Sequence, residues 1–86
     1  MDTDIIIAAR VLGRLAIYDE PHHPDDIAER IHIAGPDTVK RIIGLLRAGG
    51  LVKADEYELT KAGERWLDDR FIGKDSTQTL REILDA

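Results

Sequence analysis

Apolar residues recur with a helical period along most of the chain, and that period is lost once, after residue 50. Over 4–19, Ile5, Ala8, Val11, Leu12, Leu15 and Ala16 share one wide face, the spacing of an amphipathic helix. Asp2, Thr3 and Asp4 all suit its start, because each offers a side-chain oxygen to the unsatisfied first-turn amides. The run EPHHP at 20–24 ends it, since proline lacks an amide hydrogen and clashes with the preceding turn. Pro24 then opens a second helix, with Asp25 and Asp26 in its electropositive first turn and Ile27, Ala28 and Ile31 on one side. A tight turn, HIAG at 32–35, leads to a third helix over 36–48. There Val39, Ile42, Ile43 and Leu46 stand at i, i+3, i+4 and i+7. Gly49-Gly50 stops it, because glycine enters the left-handed conformation that helix ends use.

Beyond the glycines, LVKADEYELT at 51–60 alternates and is rich in strand-forming residues, which predicts two short strands and a hairpin turning at Asp55-Glu56. Thr60 caps a fourth helix over 61–71 through a T-x-x-G pattern, with Ala62, Trp66 and Leu67 toward the core. Gly73 breaks that helix. The tail 75–86 reads as a fifth, with Leu80, Ile83 and Leu84 on one side and Ser76, Thr77 and Thr79 placed for capping.

Composition narrows the class. A chain of 86 residues makes one domain, and with 43% hydrophobic but only 5% aromatic residues its core is aliphatic. The absence of cysteine excludes disulfides, thiolate metal sites and a cysteine nucleophile. No apolar run reaches the ~20 residues that span a bilayer, and acids stand where a signal peptide carries bases, so the expectation is a soluble cytoplasmic protein with no membrane partner. His22 and His23 are adjacent and point different ways on any regular element, and His32 lies in a turn. They read as surface residues rather than metal ligands. No catalytic constellation, cofactor motif or ligand domain is visible, so neither an enzyme nor a small-molecule binder is expected.

The net charge of −5 at first argues against a polyanionic partner, yet its distribution is uneven. Residues 38–54 hold no acid and four bases, Lys40, Arg41, Arg47 and Lys53, while the rest carries 17 acids against eight bases. Asp supplies 11 of those 17 acids, and Arg outnumbers Lys eight to four, a bias that fits a salty cytoplasm.

Three stretches then carry a resemblance. DDIAERI (25–31), TVKRIIGLLRAGGLV (38–52) and YELTKAGERWL (57–67), in that order, resemble the core of winged-helix regulators of the MarR and PadR type and the small phage-repressor-like winged helices of haloarchaea. The resemblance covers about residues 25–67. It implies a mainly α fold with a small β-hairpin (α+β), a winged helix-turn-helix with an additional C-terminal helix. Residues 1–72 would form the DNA-binding domain and 73–86 an oligomerisation or packing element. The family lays its reader helix in the major groove of double-stranded DNA, here the face of 36–48 opposite the buried stripe: Pro36, Asp37, Thr38, Lys40, Arg41, Gly44 and Arg47.

The residue chemistry reaches the same positions. Lys40 and Arg41 are suited to guanine edges or phosphates. Thr38 either donates to a phosphate or caps the helix. Asp37 reads first as a cap and second as an acceptor for cytosine N4. Gly44 either lets the groove wall approach or makes room for a neighbouring helix. Arg47 is expected to clamp a phosphate and Lys53 to touch the backbone. The hairpin tip departs from the family, with Asp55, Glu56 and Glu58 where bases are usual, which favours a second reading, a protein-interaction module or an acidic nucleic-acid mimic. Finally, Ile5, Ile6 and Ile7 in succession make the first helix apolar on more than one side. Pairing Ile6 and Ile7 with Leu80, Ile83 and Leu84 across a two-fold axis would give a homodimer with reader helices about 34 Å apart. Otherwise the tail folds back over the first helix of its own chain.

Overall fold

The computed structural model describes residues 3–17, 23–71, 73 and 76–85. Five helices run in the order α1 (Thr3–Leu15), α2 (Pro24–Ile31), α3 (Pro36–Ala48), α4 (Lys61–Phe71) and α5 (Thr77–Leu84). α1 packs against each of the other four, and α3 packs against α1, α2 and α5. The core is aliphatic, as the composition demands. Val11, Leu12 and Leu15 of α1 meet Ile27 and Ile31 of α2, Val39, Ile42, Ile43 and Leu46 of α3, and Leu80 of α5 in one cluster. Trp66 of α4 closes one side, and its Nε1–H donates to the carbonyl of Ser76 at 3.0 Å. A buried indole N–H left without an acceptor would be costly, so this bond fixes where α5 begins.

The helix ends follow from local chemistry. α2 is capped by His23, whose Nδ1 accepts from the amide of Asp25 at 3.3 Å. It ends at His32, which takes the left-handed conformation with φ 57° and donates its amide to Ala28. The turn into α3 thus bends at a histidine, while Gly35, the cap of α3, is extended. At the far end of α3 the amide of Gly50, at φ 83°, reaches the carbonyl of Arg47, and the amide of Leu51 reaches that of Leu46. This paired pattern satisfies carbonyls that the helix leaves open and turns the buried Leu51 back into the core.

The expected α+β class is corrected here. Among the described residues there are five helices and no strand, and where the hairpin wing was expected the chain makes one isolated antiparallel bridge, Val52 to Leu59. The backbone bonds around it are Lys53 to Glu58 and Thr60 to Leu51. A longer ladder fails for identifiable reasons. The carbonyls of Lys53 and Glu56 accept from the Arg47 guanidinium instead of from a partner strand. At the other end the Thr60 hydroxyl donates to the Gly50 carbonyl and accepts from the Gly63 amide, so helix capping begins where pairing would continue. The mainly α part of the expectation stands, and the additional C-terminal helix is α5.

Two smaller expectations also change. Ala62 is exposed and Gly63 takes its place against the core, where an added Cβ would collide with the Leu51 carbonyl oxygen. The T-x-x-G pattern therefore reflects a close approach of α4 to the chain at Leu51. Of the helix expected over 4–19, α1 runs to Leu15, and Ala16 and Ile17 lie beyond it, while Asp2 and residues 18–22 lie outside the described residues.

Candidate nucleic-acid interface

α3 is a rigid platform because four of its residues, Val39, Ile42, Ile43 and Leu46, are buried on one side. The opposite side carries Pro36, Asp37, Lys40, Arg41 and Gly44, all exposed, with Thr38 and Arg47 half-buried at its flanks. These seven positions, indicated by the resemblance and by the apolar spacing, lie on α3. Pro36 occupies the first turn, where its missing N–H costs nothing, and the cap position belongs to Gly35 without a side-chain bond. Asp37 is therefore a first-turn acid beside the helix's free amides and not the capping residue. A Cβ at Gly44 would meet nothing within 4 Å, so this glycine makes no room for a neighbouring helix.

The cations on and near this face differ in what holds them. The Lys40 side chain is exposed and makes no hydrogen bond or ion pair among the described residues. Arg41 reaches α1, where its two terminal nitrogens donate to the two carboxylate oxygens of Asp4 at 3.0 and 3.3 Å. The hydrogen bond to Asp4 and its charge raise the Arg41 pKa above its ordinary value. Arg47 turns toward the loop at 53–57. Its Nε donates to the Lys53 carbonyl at 2.9 Å, a terminal nitrogen donates to the Glu56 carbonyl at 3.3 Å, and the guanidinium lies 4.8 Å from the centre of the Tyr57 ring. Lys53 pairs with Glu58 at 2.9 Å and Glu56 at 3.6 Å. The bond to Glu58 is the main cause of a Lys53 pKa raised above 10.5.

Spacing brought the seven α3 positions to one surface, but it could not show how three of the four cations are engaged. Asp4 is 37 residues from Arg41 in sequence, and only the packing of α1 on α3 joins them. Lys53 with Glu56 and Glu58 was closer to legible, because a reversal between 53 and 58 must bring those charges together.

The five proposed dimer residues are largely used within one chain. Leu80 and Ile7 are buried, Ile6 is half-buried, and Ile83 and Leu84 pack half-buried against the core. α5 lies on α1 and α3 of its own chain, the arrangement in which the tail folds back. Among large apolar side chains of the described residues, Ile33 in the α2–α3 turn is the exposed one.

Elsewhere, an open cleft of about 480 Å³ lies between α1 and α2, lined by Arg14, Asp26, Glu29, Arg30 and His32, a lining of both signs. Of the histidines, His23 serves as a cap, His32 as a turn residue, and His22 lies outside the described residues. Among the described residues no group of three or more His, Cys, Asp or Glu is placed to hold a metal ion, and no helix is long and apolar enough to cross a membrane. No protein family, curated protein or solved structure matches the chain.

Proposed function

We propose that this protein binds duplex DNA as a transcriptional regulator, laying the outer face of α3 in the major groove. The observation that carries this reading is the state of that face. α3 is held by three other helices, yet Pro36, Asp37, Lys40, Arg41 and Gly44 remain exposed along it. A helix so anchored, and entered through a short turn from α2, is suited to present its outer face to a groove. Lys40 supplies a cation for a phosphate or a guanine edge. The bare backbone at Gly44, one turn further on, lets a groove wall come close. The half-buried Thr38 adds a hydroxyl near the free amides of the helix start, where a phosphate is favoured.

Selection from a random duplex pool at several salt concentrations tests this directly. Retained duplexes should share a short motif, and affinity should fall with salt in proportion to the phosphates neutralised. Lys40→Ala should weaken binding and flatten the salt slope by about one if Lys40 meets a phosphate, with circular dichroism unchanged. Binding that ignores both salt and Lys40 would remove α3 as the reader.

A second reading has its own support. Arg41 is paired with the Asp4 carboxylate and Lys53 with those of Glu58 and Glu56, so the region is less cationic than its sequence suggests. An acidic interaction module with a protein partner fits that charge state. It predicts no duplex retention at low salt.

A further inference from the structure

Asp4 and Arg41 face each other across the seam between α1 and α3. We propose that Asp4 belongs to the nucleic-acid site as an internal competitor, occupying the edge of Arg41 that a guanine base or a phosphate would take, and so sets how strongly α3 holds DNA. The inference rests on the DNA reading given above.

The geometry supplies the argument. Arg41 donates from both terminal nitrogens to both oxygens of one carboxylate, at 3.3 and 3.0 Å. A guanidinium uses the same planar fork to contact guanine O6 and N7, or two phosphate oxygens. One edge cannot serve both partners, so contact through it requires Asp4 to let go. The pair is open to solvent, with the Arg41 side chain 52% and the Asp4 side chain 38% exposed. Exposed pairs are weak, so release is affordable for a duplex but unfavourable for a lone anion. Exchange of Asp4 for a phosphate also leaves the freed carboxylate facing a polyanion.

The test compares the wild-type protein with Asp4→Asn, Arg41→Ala and the double variant, measuring affinity for duplex against salt concentration. Asp4→Asn should bind about 3- to 5-fold more tightly at low salt, the scale of an exposed ion pair. Its log–log salt slope should steepen by about 0.9, one further phosphate neutralised. A packing role for Asp4 would not steepen that slope. Adding Arg41→Ala should cancel the gain. If the gain survives that change, it is a general effect of removing an acid, and the inference is overturned. It is equally overturned if Asp4→Asn binds no better while Lys40→Ala still weakens binding, which leaves the DNA reading standing. If neither the wild type nor Asp4→Asn retains duplex at low salt, the DNA reading falls and takes the competitor with it.

Discussion

A Cβ built on Gly49 would lie 2.7 to 2.8 Å from three carbon atoms of the Ile83 side chain. The cap of α3 is thus a seat for α5, and the bare backbone is what lets the tail helix lie on the end of the helix proposed to read DNA.

Gly49→Ala should accordingly destabilise the protein by about 1–2 kcal/mol, because Ile83 must leave its place in a packed surface. Gly49 has φ −81°, so the change carries no backbone strain, and the cost belongs to the contact alone. Combining it with Ile83→Ala should recover part of the loss. A double-mutant cycle by thermal unfolding measures that coupling, and strictly additive costs would show that the two residues do not constrain each other.

Two other glycines should respond in opposite directions. Gly44 lies exposed in the middle of α3 with open space beside it, so Gly44→Ala should stabilise by about 1 kcal/mol through helix propensity. Gly63→Ala should cost about 3 kcal/mol, since the new methyl meets the Leu51 carbonyl, which is backbone and cannot swing aside. Urea unfolding of the two variants checks both signs. The Gly44 variant also probes function: if it gains stability but loses duplex affinity, the groove wall comes close to that position.

Much of the helical framework was legible from apolar spacing. The bounds of α2, α3 and α4 follow from Pro24, from Pro36 with Gly49-Gly50, and from Thr60 with Gly73, all local signals. The expected hairpin fails because Leu51, Val52 and Leu59 are buried around a single bridge, and burial does not by itself make a ladder. The carbonyls that a ladder needs were taken by Arg47 and Thr60, and neither bond has a signature in strand propensity. The dimer residues show a similar limit. Periodicity identified Leu80 as apolar and inward-facing, but could not say whether the surface it meets belongs to its own α1 and α3 or to another copy.

The bend between α2 and α3 offers a third prediction. His32 sits at φ 57°, where a side chain crowds its own backbone at a cost of about 1–2 kcal/mol. Glycine avoids that strain but gives back about 0.5–1 kcal/mol in chain entropy. His32→Gly should therefore raise the melting temperature by a net gain of about 0.5–1 kcal/mol, while His32→Val, branched at Cβ, should lower it. His32 is exposed, so neither change empties the core. Equal melting temperatures for all three proteins would show that the turn is not strained.

The alkaline limb of the stability curve should carry the mark of Lys53. Its pKa is raised above 10.5 mainly by the hydrogen bond to Glu58, with Glu56 contributing less. A cation whose folded pKa lies above its unfolded one adds stability that is complete below the unfolded value and is lost as pH climbs through the folded value. Thermal melts from pH 8 upward should therefore show a steeper fall beginning near pH 10.5 in the wild type than in Lys53→Met. The side chain is exposed, so the difference should be small and should shrink with added salt. Identical alkaline limbs would mean that the pair with Glu58 does not persist in solution.

Arg47 and Lys40 share the outer side of α3 and should separate stability from binding. Arg47 holds the carbonyls of Lys53 and Glu56 and lies over Tyr57, so it organises the loop that a ladder leaves unpaired. Arg47→Ala should cost about 1–2 kcal/mol, since two charge-assisted bonds and a ring contact go together. Amide hydrogen exchange should quicken at Lys53 and Thr60, whose amides close the bridge region. Arg47→Lys should restore little, because a single ammonium cannot reproduce the planar fork that reaches two carbonyls. Lys40→Ala should leave both melting temperature and exchange unchanged, because Lys40 makes no such bonds among the described residues. If instead Arg47→Ala melts with the wild type and loses only duplex affinity, its contacts to the loop are incidental and the guanidinium belongs with the phosphate ligands.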